Sequence, residues 1–152
     1  MTNFENAGGR MPQPNILVVD DEGDFLETLT NRLKKRKLST LGCASGEEAV
    51  RLVKEHAFDL VVLDIKMPGG MDGIETLREI KRIQPEAEVI LLTGHASLET
   101  STEGMQYGAF DYLLKPIKLE DLLEKLAQAL ERKGTSERRA QSAEIRKLLV
   151  KS

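Results

Sequence analysis

The chain has 152 residues, 40% hydrophobic, 31% charged and only 4% aromatic, which describes one globular domain with at most a short appendage, large enough to fold without disulfides or a structural metal. One cysteine, Cys43, and two histidines exclude an internal disulfide and disfavour a transition-metal enzyme, so only oxygen-ligand metal chemistry stays open. No apolar run approaches the roughly 20 residues of a membrane span, and residues 1–14 lack a signal-peptide core, so a cytoplasmic location without membrane contact is expected.

The net charge of −3 is uneven: residues 1–130 hold 22 Asp/Glu against 15 Lys/Arg, and residues 131–152 hold seven Lys/Arg against three Glu. The acidic body offers no footprint for nucleic acid. The basic tail reads as a solvated charge run, with contact to an anionic partner as the other reading.

In chain order, Ile16-Leu17-Val18-Val19 is a continuous apolar run ending in Asp20-Asp21. Such runs fit strands buried on both faces, as in a parallel sheet. Phe25, Leu26, Leu29 and Leu33 fall three or four apart and predict a helix, with Lys34 to Lys37 at the negative end of its dipole. Residues 38–43 predict a half-polar strand near an edge. Ser45 then opens a second helix, with Glu48 completing a capping-box pattern and Val50, Val53 and Ala57 on the inner face.

Leu60-Val61-Val62-Leu63 predicts the third strand, ending in Asp64, and Lys66-Met67-Pro68-Gly69-Gly70 reads as a loop. Asp72 caps a third helix with Ile74, Leu77, Ile80 and Ile83 inward. Residues 89–92 form the fourth strand, ending in Thr93-Gly94. Residues 97–108 make a poor helix, with Ser, Thr and Gly and few inward apolar groups. Residues 110–114 form the fifth strand, followed by Lys115-Pro116. Leu119, Leu122, Leu123, Leu126 and Leu130 are the stripe of a fifth helix.

Five β-α units predict an α/β fold, a doubly wound parallel sheet with helices on both faces. The chain divides into a flexible N-terminal segment (1–14), the domain (15–131) and a basic C-terminal tail (132–152). In that tail, Ile145, Leu148 and Leu149 fit either a short helix or a frayed end.

In open parallel sheets ligands bind beyond the carboxyl ends of the strands. There the strands deliver Asp20 and Asp21, Asp64, Thr93 and Lys115. Crowded carboxylates suit a hard divalent cation, and Mg²⁺ takes one or two carboxylates plus substrate oxygens and water. A hydroxyl and an ammonium suit the outer oxygens of a phosphoryl group, and a carboxylate can itself be the nucleophile. Taken singly, each residue has a plainer reading: a helix N-cap for Asp20 or Asp21, turn residues for Asp64 and Thr93-Gly94, an ordinary trans turn for Lys115-Pro116.

The stretches ILVVDDEGDFLETL, DLVVLDIKMPGGMDGIETL, VILLTGHA and GAFDYLLKPI resemble the receiver domain of two-component response regulators, over residues 15–131. The resemblance implies a flavodoxin-like sheet of strand order 2-1-3-4-5 with five helices. It implies Asp64 as phosphoacceptor and magnesium as cofactor, with Asp21 and Asp64 as Mg²⁺ ligands, Asp20 acting through a metal-bound water, and the backbone carbonyl of Lys66 as a further ligand. Thr93 and Lys115 would contact the phosphoryl group, Thr93 and Tyr112 would form the switch, and Lys115-Pro116 would be a cis peptide.

The resemblance also implies a sensor histidine kinase or phosphotransfer protein as donor, a protein target downstream, and a surface of fourth helix, fifth strand and fifth helix for that target or a second copy of the chain. Lys66 and His95 occupy positions that tune dephosphorylation in this family; an exposed loop residue is the plainer reading of His95. One departure is visible. Gly69-Gly70 puts two residues where many members have one, which implies a longer, more mobile loop.

Two other classes share part of this pattern. A Mg²⁺-dependent phosphatase of the haloacid-dehalogenase type also uses an aspartyl phosphate, but it wants an acid where Lys66 stands. A flavodoxin-like redox carrier would need a phosphate-cradling loop after the first strand, and none is present. The receiver reading makes the chain a signalling domain that promotes only its own phosphorylation and dephosphorylation.

Overall fold

The computed structural model describes residues 13–94 and 98–150. Five parallel strands, β1 (Asn15–Val19), β2 (Ser39–Cys43), β3 (Leu60–Asp64), β4 (Glu88–Thr93) and β5 (Asp111–Leu114), lie in the order β2-β1-β3-β4-β5. This is the expected doubly wound arrangement. The central strands β3 and β4 are buried throughout and β1 at all but its first residue, because helices cover both of their faces. The half-polar strands β2 and β5 take the edges.

Successive side chains of a strand point to opposite faces. Ile16, Val18, Leu60, Val62, Ile90 and Leu92 therefore pack against α1 (Gly23–Lys35) and α5 (Leu119–Glu131). Leu17, Val19, Val61, Leu63, Val89 and Leu91 pack against α2 (Gly46–Glu55) and α3 (Gly73–Ile83). The start of α3 carries a full capping box: Glu75 N donates to Asp72 Oδ1 at 2.9 Å and Asp72 N to Glu75 Oε1 at 3.1 Å.

At α2 only one arm of the expected box is seen. Glu48 N donates to the Ser45 hydroxyl at 3.1 Å, while the Glu48 carboxylate faces Arg51 at 3.6 Å. The inner face of α2 also differs from the expected Val50, Val53 and Ala57. Gly46, Ala49 and Val53 are buried, Val50 sits on the flank, and Ala57 lies exposed beyond the helix end.

The fourth helix, α4 (Leu98–Gln106), seats on the sheet through Gly104. A Cβ there would lie 2.4 Å from Leu91 Cδ1, so the small residue permits the close approach. Met105, just before the end of α4, and Tyr107, just after it, are exposed. Residues 95–97, and with them His95, lie outside the described residues, as do residues 1–12 of the N-terminal segment.

The helix count is six, not the expected five. Of the two readings left open for the C-terminus, the helical one is found: α6 (Ser136–Val150) folds back along α5. Ile145 is fully buried in the core under α5, with Leu148 and Leu149 packed beside it. The rest of the docking face is polar. Arg138 donates to the Glu86 carbonyl at 3.0 Å and pairs with Asp59 at 3.3 Å. Ser142 donates to Glu131, and Arg146 bridges Glu131 at 2.6 Å and Glu124 at 3.1 Å.

Candidate functional site: an acidic pocket at the carboxyl edge

Parallel strands in register bring their carboxyl ends to one edge. The ladder runs one residue past β1, where Asp20 N donates to the Cys43 carbonyl at 3.1 Å. It runs past β3, where Ile65 N donates to Leu92 at 2.9 Å, and past β5, where Lys115 N donates to Thr93 at 2.8 Å. Asp20, Asp64, Thr93 and Lys115 are thus held by sheet hydrogen bonds or their direct continuation. The Lys115-Pro116 peptide is cis.

Asp20, Asp21 and Asp64 each offer a carboxylate oxygen within 4.8 Å of the others. Asp20 is 0% exposed and Asp64 3%, whereas Asp21 is open to solvent. The Lys115 ammonium enters from the other side: Nζ lies 2.7 Å from Asp20 Oδ2, 2.9 Å from Glu22 Oε1 and 3.7 Å from Asp64 Oδ2.

Three carboxylates, those of Asp20, Glu22 and Asp64, therefore share one ammonium, and Asp21 adds a fourth charge nearby. Burial, and then the charge of Asp20, push the Asp64 carboxyl up to about 6; Asp21 adds to this, while the Lys66 N–H and Lys115 pull it back. Burial alone would lower the Lys115 ammonium, but its bonds to Asp20 and Glu22 hold it above its ordinary value. A pocket of hard oxygen donors with excess negative charge matches what a divalent cation such as Mg²⁺ requires, so the residues present fit that ion.

Thr93, Lys66 and Tyr112 lie at the end of β4, in the loop after β3 and in β5. Thr93 is buried at the end of β4. Tyr112 is half-buried in β5, in register with Leu91. Lys66 is exposed, and its N–H donates to Asp64 Oδ1 at 3.2 Å. Gly69 and Gly70 have φ of +76° and +57°, a left-handed turn that glycine adopts without a Cβ penalty. Glu47 ties the end of this loop to α2, accepting from Met71 N at 2.8 Å. Asp20 and Asp21 do not cap α1; Glu22 is its N-cap, and Glu22 N donates to Asp20 Oδ1 at 2.9 Å.

Two participants were missed in the sequence. Glu22 carries no role in the sequence reading, and its bond to Lys115 spans 93 positions. Phe25 was assigned only to the stripe of α1, yet its ring lies 4.3 Å from Lys115 Nζ. The sequence-level signal was the acid directly after Asp20-Asp21, followed one helical turn later by an aromatic.

Comparison with known proteins agrees with this geometry. A family model for the response regulator receiver domain matches residues 16–127. The chain is 40% identical over 116 residues to the transcriptional regulatory protein ZraR of Escherichia coli strain K12, covering 76% of this chain and 26% of that protein. It thus spans about a quarter of the length of the curated relatives it matches.

Among solved structures, the receiver domain of NtrX from Brucella abortus aligns with a TM-score of 0.73 at 34% identity, covering 78% of this chain and 99% of that one. A response regulator protein from Burkholderia pseudomallei, crystallised with a phosphorylated aspartic acid, a calcium ion and citrate, aligns with a TM-score of 0.71 at 26% identity, covering 92% and 76%. The phosphatase alternative finds no support in these matches. With the match running from β1 into α5 and taking in the acidic pocket, the chain belongs to the response regulator receiver domain family.

Proposed function

We propose that this receiver accepts a phosphoryl group on Asp64, with Mg²⁺ held beside it by Asp21, Asp64, the Lys66 carbonyl and, through water, Asp20. The observation that carries the reading is a buried Asp64 carboxylate flanked by two acids and by Lys115. The phosphorylated aspartic acid and calcium ion of the Burkholderia protein support it. A bound Mg²⁺ would offset the carboxylate charge and that of the incoming phosphoryl oxygens.

The donor is a phosphohistidine of a sensor kinase or phosphotransfer protein. An Asp64 oxygen attacks phosphorus, the O–P bond forms as the P–N bond breaks, and the departing imidazole takes up a proton. Lys115 and Thr93 then bond the outer phosphoryl oxygens. The signalling unit is 15–131, acting in the cytoplasm through protein contacts. Among the described residues no helix is long and apolar enough to cross a membrane. With Mg²⁺ and a small acyl phosphate, intact-mass spectra should show one phosphoryl group added to the wild type and none to Asp64→Asn. Equal labelling of the two proteins would remove Asp64 from the role.

The response runs through Thr93 and Tyr112 to the surface of α4, β5 and α5. Thr93 moves toward the phosphoryl group, and the half-buried Tyr112 ring takes the space behind it. Helix α4 seats through Gly104 over Leu91, and its Ser, Thr and Gly content suits an element with two arrangements of similar energy. The exposed Met105 in its last turn, with Tyr107 and Leu114 beyond it, offers apolar surface to a target or a second copy of the chain. Hydrogen exchange with and without a phosphoryl mimic should change across residues 98–114 and leave the core of α5 unchanged. Changes confined to other elements would refute this route.

A further inference from the structure

We infer that Glu22 is a positioning residue that tethers Lys115 on the α1 side of the pocket and so sets how readily the ammonium reaches a phosphoryl group on Asp64. The inference rests on Asp64 being the phosphoacceptor. An ammonium has three donors. Two of them are engaged here, with Asp20 at 2.7 Å and Glu22 at 2.9 Å, while the 3.7 Å to Asp64 exceeds hydrogen-bond length. The Phe25 ring, 4.3 Å from Nζ, supports the cation from the same helix. Both anchors on α1 thus hold the ammonium short of Asp64.

The backbone of Glu22 is fixed: its N–H donates to Asp20 and its carbonyl accepts from Leu26 N at 2.9 Å. Its side chain is 67% exposed, so its carboxylate returns to water at little cost when released. The third N–H faces the anionic oxygens of a phosphorylated Asp64, and moving Nζ toward them stretches its bond to Glu22. Glu22 therefore opposes the phosphorylated arrangement, whereas Asp20, wholly buried, is part of the pocket in both.

The test is a calorimetric titration of the full chain with beryllium fluoride, a phosphoryl mimic, at saturating Mg²⁺, with Mg²⁺ affinity measured separately for each variant. Glu22→Gln should tighten beryllium fluoride binding about two- to fivefold, the scale of a partly exposed ion pair. Asp24→Asn removes the same charge from the exposed first turn of the same helix and should leave the affinity unchanged. In a Lys115→Met background the gain from Glu22→Gln should vanish. Unchanged or weaker binding by Glu22→Gln, or a gain that persists without Lys115, would overturn the tether. Wild-type protein that takes up no beryllium fluoride, or takes it equally after Asp64→Asn, would instead overturn the phosphoacceptor reading and the tether with it.

Discussion

At pH 7 and without a divalent cation, Asp64→Asn is expected to raise the free energy of unfolding by about 3 kcal/mol, and at pH 4.5 by only about 1 kcal/mol. The cause is the strained charge of the pocket. Burial and the neighbouring Asp20 push the Asp64 carboxyl from 3.8 up to about 6, so the folded chain keeps a proton that the unfolded chain has already released. The folded pKa is raised, so the favourable term is complete below 3.8 and is lost as pH rises through about 6. Above that the wild type carries the full penalty. Asparagine keeps the shape of the side chain and never ionises, so its advantage should follow the same window. Urea unfolding across pH measures it, and a difference that does not vary with pH would show that the Asp64 charge is not the source.

The same strain should make the protein respond to Mg²⁺. A ligand that binds only the folded state stabilises it by mass action, so Mg²⁺ should narrow the gap between wild type and Asp64→Asn at pH 7. The Asp21 carboxylate is exposed, and Asp21→Ala should leave the metal-free stability near that of the wild type while blunting the Mg²⁺ response. Function here opposes stability: the Asp64 charge that suits the pocket to a cation lowers the stability of the metal-free fold.

What the sequence revealed of this architecture depended on which signals are local. β1, β3 and β4 were legible because the part of a strand covered on both faces is a continuous apolar run, and each run is followed directly by a polar residue, Asp20, Asp64 or Thr93. Asp20, Asp64, Thr93 and Lys115 were legible for the same reason, since strand ends in a parallel sheet share one edge. The partnership of Glu22 and Lys115 was not. It follows from the pairing of β1, β3, β4 and β5, which no short window contains. The face of α2 was misread because Ala49 and Gly46, small residues that let the helix lie close, carry less pattern than Val50. The helix α6 stayed ambiguous because its docking face is largely Arg138, Gln141 and Ser142, polar groups buried through hydrogen bonds that no hydrophobic period marks.

That mixed face makes α6 a place where packing and charge can be weighed against each other. Ile145→Ala is expected to destabilise the protein by about 2–4 kcal/mol, because it removes a fully buried side chain from the core under α5 and leaves a cavity. Arg146→Ala breaks bonds that look stronger. The Arg146 guanidinium meets Glu131 at 2.6 Å and holds its carboxyl down to about 2. Both partners are 39% exposed, however, so water and salt screen the pair, and its loss should cost no more than about 1 kcal/mol. Val150→Ala, at a residue 85% exposed, should stay within about 0.5 kcal/mol of wild type. Urea unfolding of the three variants in the full chain ranks these effects, and the intrinsic helix propensities of the substitutions are too close to reverse the order. A cost for Arg146→Ala equal to or above that of Ile145→Ala would mean that charge, not burial, holds α6 on α5. In that case the basic surplus of residues 131–152 would be the docking force, and raising the salt concentration should loosen the helix from the domain.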